Sequence, residues 1–117
     1  MSMRPIVLKV TAQTKFSKAA PISTAMSEMM PTTRTALTQV PEGQDVSIGI
    51  WECTRGVWRR QVAKREFSHV ISGHCFFTPD GQEPIELVAG DSVYFPANCM
   101  GVWDIRQDVR KSYLILD

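Results

Sequence analysis

The sequence predicts an all-β domain, a sandwich or barrel, behind a less regular N-terminal arm. From Val40 onward, runs of roughly four to eight residues rich in β-branched and aromatic side chains follow one another. Glycine, proline, aspartate and asparagine punctuate them at short intervals. No helical period is sustained in this part of the chain.

The 117 residues fit one domain. A composition of 44% hydrophobic and 21% charged residues is that of an ordinary globular chain, which excludes disordered, coiled-coil and fibrous classes. No apolar run approaches the roughly 20 residues of a membrane helix. The opening MSMRPIVLKV is too short in its apolar part for a secretory signal, so the expectation is a cytoplasmic protein with no membrane partner. Net charge is +1, which gives no general attraction for nucleic acid. Residues 1–40 carry five Lys/Arg against one Glu, and residues 41–117 carry eight against eleven acids. That asymmetry describes a solvated basic arm, too dilute for a nucleic-acid footprint. Cys53, Cys75 and Cys99 read as reduced thiols, and no CxxC or CxxH spacing points to structural zinc.

Residues 1–40 form the arm. The sequence permits one short strand at Ile6–Val10 and a short helix or turn from Ser23 to Met30, stopped by Pro31. The arm wraps the domain or a partner subunit, or extends as a tail. Residues 41–117 form the barrel domain. Its candidate strands are VSIGIWEC, VWRRQV, EFSHVIS, HCFFT, IELVA, SVYFP, MGVWDI and KSYLIL. The turns between them include Arg55-Gly56, Ser72-Gly73, Pro79-Asp80-Gly81, Ala89-Gly90-Asp91 and Pro96-Ala97-Asn98. The clearest hairpin is HCFFT-PDGQEP-IELVA, because Pro-Asp-Gly favours a tight reversal.

Two motifs then stand out. Glu66 is followed after six residues by Gly73, and Gly90 after five by Pro96, with Asp91 behind the glycine. With the all-β punctuation around them, they resemble the cupin superfamily. IWEC…GVWRR, EFSHVISG, AGDSVYFPAN and MGVWDI followed by VRKSYLI are similar to a branch of small cupins. That branch includes the ethanolamine-utilisation cupin and the ureidoglycine aminohydrolase cupin domain. The resemblance, over about Ser47 to Leu116, implies a double-stranded β-helix, the jelly-roll barrel, with a pocket inside one end. Small cupins of this type are often homodimers, so a homodimer is expected.

A typical metallocupin holds its ion with two histidines and the glutamate of the first motif and one histidine of the second. Here the first two positions fall on Arg60 and Val62, or on Arg59 and Gln61 if one residue more is allowed, and the last falls on Gly101. One carboxylate among cations does not hold a transition ion, so no metal or other cofactor is expected. Strand alternation puts Ser68 and Val70 on the face of Glu66 and turns His69 away; His74 falls at a turn. Cys99 leaves one further combination, a Cys99/Glu66/His site. The same alternation places Gly101, Trp103 and Ile105 on one face, and the motif alignment points it inward.

The expected site is therefore Glu66 as acid/base candidate, Arg60 or Lys64 as its cationic partner, Trp103 as an apolar wall and Trp58 at the rim. Such a set suits a small polar or anionic ligand. Two alternatives compete with it: a metal-dependent enzyme acting on a small nitrogenous metabolite, as the aminohydrolase resemblance implies, and a non-catalytic structural or regulatory subunit.

Overall fold

The computed structural model describes residues 4–116; residues 1–3 and Asp117, the outer ends of the expected arm and barrel, lie outside the described residues. The strands run in the order β1 (Ala20–Pro21), β2 (Thr32–Gln39), β3 (Val46–Cys53), β4 (Gly56–Val62), β5 (Arg65–Pro79), β6 (Ile85–Val88), β7 (Ser92–Phe95) and β8 (Cys99–Leu116). No helix of the described residues is long and apolar enough to cross a membrane.

Strands β5 and β8 are the spine. They pair antiparallel from Arg65 opposite Leu116 to Pro79 opposite Gly101. Each serves two half-sheets. The first half of β5 takes β7 as its other neighbour, and the second half takes β6. Likewise β3 pairs with Val109–Leu116 of β8, and β4 with Cys99–Ile105. Strands that bend from one sheet into the other at bulges are how two-layered β folds turn corners.

Here the sequence reading needs a correction. It treats Ser72-Gly73 as a turn and splits β5 and β8 into four short strands. Both are continuous. Register shifts between Val70 and Cys75 take up the bend, and Gly73 sits at φ 103°, a conformation that favours glycine. The segment Val70–Cys75 faces a longer one, Ile105–Lys111. Inward-facing positions on β5 therefore change from Glu66, Ser68 and Val70 to Cys75, Phe77 and Pro79.

The hairpin after β5 forms as expected, with Cys75 opposite Leu87 and Phe77 opposite Ile85. The arm differs from expectation. Ile6–Val10 is not a strand, because no described strand lies beside it and an unpaired strand is not a stable element. The longer strand of this region is β2, laid on β3 with Thr35 opposite Trp51. Residues 23–30 are turns rather than helix. They run along β4: Met26 N–H donates to Val57 O at 2.7 Å, and Thr24 Oγ1 to Arg59 O at 2.7 Å. The arm thus covers an edge of its own domain, which an exposed strand otherwise leaves open to foreign pairing.

Aromatic rings fill the space between the half-sheets. Trp103 meets Phe77 at 4.9 Å and Phe95 at 5.8 Å, both edge-on, and Trp51 at 6.2 Å. Edge-to-face contacts are favoured by the ring quadrupole. Gly101 is needed beneath this cluster, since a Cβ there would stand 2.7 Å from the Phe77 ring. Phe77 is 2% exposed. We expect Phe77→Ala to cost about 3–5 kcal/mol in urea unfolding; a loss below about 1 kcal/mol would mean that the ring cluster does not carry the core.

Candidate functional site

Glu66 enters the barrel from the start of β5, opposite Ile115 of β8. Ser68 and Val70 follow on the same inner face, while His69 is exposed and meets Ser92. On β8 the inward residues of that half-sheet are Val109, Lys111 and, partly buried, Tyr113. Lys111 lies opposite Val70 on one side and Trp51 on the other. Its long side chain and that of Glu66 lean towards each other across Ser68.

They meet as a buried ion pair. Lys111 Nζ donates to Glu66 Oε2 at 2.6 Å, and Ser68 Oγ donates to the same oxygen at 2.8 Å. Arg60, from β4, reaches the other oxygen, Oε1, at 3.3 Å. Glu66 and Lys111 are 3% and 2% exposed. The ammonium also lies 4.7 Å from the Trp51 ring centre and 5.5 Å from those of Phe95 and Trp103. Three electron-rich faces and one carboxylate replace the water that a lysine normally keeps.

Burial works to raise the Glu66 pKa. The charge and hydrogen bond of Lys111, with Arg60 and Ser68, outweigh it and hold the carboxyl below its ordinary range. Burial pulls the Lys111 amine below its ordinary value, against the opposing pull of Glu66, and Arg60 adds to the lowering. The thiols are of a different kind. Burial pushes Cys53 to about 12 and Cys75 to about 11, which leaves them protonated and inert.

The pair borders a cavity of about 160 Å³ at this end of the barrel, lined by Thr35, Trp51, Arg60, Glu66, Lys111, Tyr113 and Ile115. A neighbouring cavity of about 290 Å³ shares Arg60, Glu66 and Ile115 and adds Lys64. A larger groove of about 520 Å³ lies elsewhere, among Arg34, Glu52, Cys53, Asp108 and Arg110. There Glu52 is spent on two arginines, accepting from Arg34 Nε and Arg110 Nε at 2.6 Å each. The barrel end is the better candidate because its charged groups are buried and converge on one point.

The structure brings together Glu66 and Arg60 from the expected set. Lys64 borders the neighbouring cavity, away from Lys111. Trp58 and Trp103 line neither cavity of the barrel end. Trp103 is a floor beneath the ammonium, and Trp58 is a core residue whose ring lies 6.4 Å from that of Trp51, tilted by 42°. The chief partner of Glu66 is Lys111, which the sequence reading passed over inside an apolar strand. Its position two residues after Val109 and two before Tyr113, in alternation with the half-buried Arg110 and Ser112, is the signal that places it inward.

The donor set does not fit the cupin metal. Arg60 and Gly101 stand opposite each other in the β4/β8 ladder, and of the two Arg60 reaches Glu66. What they carry is a guanidinium and a hydrogen, and Val62 is core. Both carboxylate oxygens of Glu66 are taken by cations. Among the described residues no three His, Cys, Asp or Glu side chains gather, so the Cys99/Glu66/His combination does not form. His74 is held by Glu86 at 2.8 Å.

Comparison with known proteins agrees with this architecture. A putative ethanolamine utilization protein Q from Salmonella typhimurium shares 17% identity over 92% of this chain and 98% of its own, with a TM-score of 0.66. The Clostridium difficile EutQ protein shares 16% over 86% and 80%, at 0.67. A Pseudomonas syringae DUF861 protein of unknown function shares 21% over 89% of this chain and 44% of its own, at 0.75. At these identities the likeness is one of fold. No curated protein matches the chain significantly in sequence. The family of EutQ-like cupin domains matches residues 40–113, more than half of the sequence, and with that match the chain belongs to the EutQ-like cupin domain family, a jelly-roll β-barrel.

Proposed function

We propose that this cupin binds a small carboxylate-bearing metabolite at the Glu66 end of its barrel. The observation that carries the reading is the charge around the cavity. Arg60 and Lys111 supply two positive charges and Glu66 one negative, so the site is left with one positive charge to neutralise. A guanidinium presents five N–H donors in a fork that matches a carboxylate, and the bond to Glu66 uses one of them. Arg60 is 22% exposed in its side chain, within reach of an entering ligand. Trp51 and Ile115 give an apolar wall, and Thr35 and Tyr113 complete the lining.

The volume limits the size: at about 160 Å³ the cavity is below the roughly 300 Å³ at which drug-sized ligand pockets begin, which suits a short-chain acid. A metal-assisted reaction is disfavoured by the donors themselves, since a cation entering here must displace or face two others.

Titration by calorimetry with acetate, propionate, lactate and pyruvate tests the reading. Arg60→Ala should weaken binding about tenfold to a hundredfold, the loss of one or two charge-assisted bonds of roughly 1.5–3 kcal/mol. Lys64→Ala should change it less than about threefold. No heat and no rise in melting temperature with any of the acids would overturn it.

The reading also requires Glu66 ionised against a protonated Lys111. Because the Glu66 carboxyl is held low in the folded protein, its contribution to stability is full above the ordinary carboxylate range and is lost as pH falls through the folded value. Lys111, also depressed, acts in the opposite window: stability rises as pH climbs towards the ordinary lysine range. Glu66→Gln should destabilise by about 3–5 kcal/mol at neutral pH, because it strands a buried ammonium. The gap between wild type and Glu66→Gln should narrow on acidification below about pH 4. Glu66→Leu combined with Lys111→Met should recover much of the loss; a double variant as unstable as the sum of the singles would show that the two groups are not coupled.

A further inference from the structure

A short-chain anion does not need an amine as deeply placed as that of Lys111. Arg60 already offers a positive charge near the mouth, where desolvation costs less. What a buried lysine adds is a nucleophile. Lys111 is among the residues lining the cavity, its Nζ is walled by the Trp51, Phe95 and Trp103 rings, and it has in Glu66 a proton acceptor 2.6 Å away. Lysines kept out of water in apolar pockets or beside another cation are the ones that condense with carbonyls. The spacing of the two cations narrows the substrate further. Arg60 sits on one oxygen of Glu66 and Lys111 on the other, so they are one carboxylate apart. A ligand that bridges them carries its carboxylate and its reacting group on neighbouring carbons.

We infer that Lys111 forms a Schiff base with a small 2-oxo acid whose carboxylate is seated on Arg60, an inference that rests on the anion-binding reading and names its substrate class. The Lys111 ammonium passes one proton to Glu66. The free amine then attacks the carbonyl carbon; the C–N bond forms and the carbonyl π pair moves to oxygen. The amine's second proton passes to that oxygen, giving a neutral carbinolamine. Glu66 returns its proton to the hydroxyl, which leaves as water as the nitrogen lone pair makes the C=N bond. One water is released for each imine formed, and no oxidant or reductant is consumed. The downward pull of burial on the amine favours its free form in this step.

The test is reductive trapping of the full chain with pyruvate or glyoxylate and cyanoborohydride at neutral pH, with peptide mapping of the adduct. Hydride reduction fixes the imine and adds the mass of the oxo acid less one oxygen atom. Lys9, Lys15, Lys18 and Lys64 serve as internal references in the same sample. The Lys111 peptide should be modified at least tenfold faster than any of these, and propionate should protect Lys111 alone. Lys111→Arg, which keeps the charge, should abolish the fast adduct, and Arg60→Ala should slow it at least tenfold. Labelling of Lys111 no faster than the reference lysines in the wild-type protein overturns the inference, whatever the variants' folding. If propionate and lactate bind while Lys111 stays unlabelled, the Schiff base fails and the anion site stands. If nothing binds and Lys111 stays unlabelled, both fail.

Discussion

Lys111 and Glu66 place two opposite charges in an apolar barrel and leave each with the other as its main source of solvation. Desolvating an ion costs several kcal/mol, and the pair repays this only while its geometry holds. Much around it follows from that requirement. Ser68 supplies a second donor to Oε2, Arg60 a charge beside Oε1, and three aromatic faces enclose the ammonium. The cavity mixes charged and apolar lining because the pair is fixed there, against the ring cluster.

Much of the fold is legible in the sequence because the relevant signals are local. Alternation and turn residues mark β3, β4, β6 and β7, and Pro79-Asp80-Gly81 marks the hairpin between β5 and β6. The two spine strands are less legible. Ser72-Gly73 has the composition of a turn, yet the pairing of β5 with β8 on both sides keeps the ladder running through it. The arm is the least legible part. Whether Ile6–Val10 or Thr32–Gln39 becomes a strand depends on which has an edge to pair with, and that is a tertiary fact.

The site shows the same division. Glu66 and Arg60 are readable because a motif fixes one and strand spacing places the other near it. Trp58 and Trp103 are readable as inward, but inward is not the same as cavity-lining: both are packed below the opening. Lys111 escapes notice because a lysine in an apolar strand usually reads as a surface residue. Only the alternation of β8 from Val109 through Tyr113, together with the register that sets Lys111 beside Trp51, reveals it.

The bend in the spine has a consequence for how this barrel can change over evolution. Inward positions ahead of the bend and those behind it are out of phase by one residue on β5 and in phase on β8. A single-residue insertion or deletion between Val70 and Cys75 would leave the ion pair in place and turn Phe77 towards solvent, or spare the rings and reverse Glu66. The two halves can each accept substitutions on their own terms, but the length of the hinge between them is shared property. Chemistry at the barrel end and packing behind it are inherited together through the spacing of those few residues.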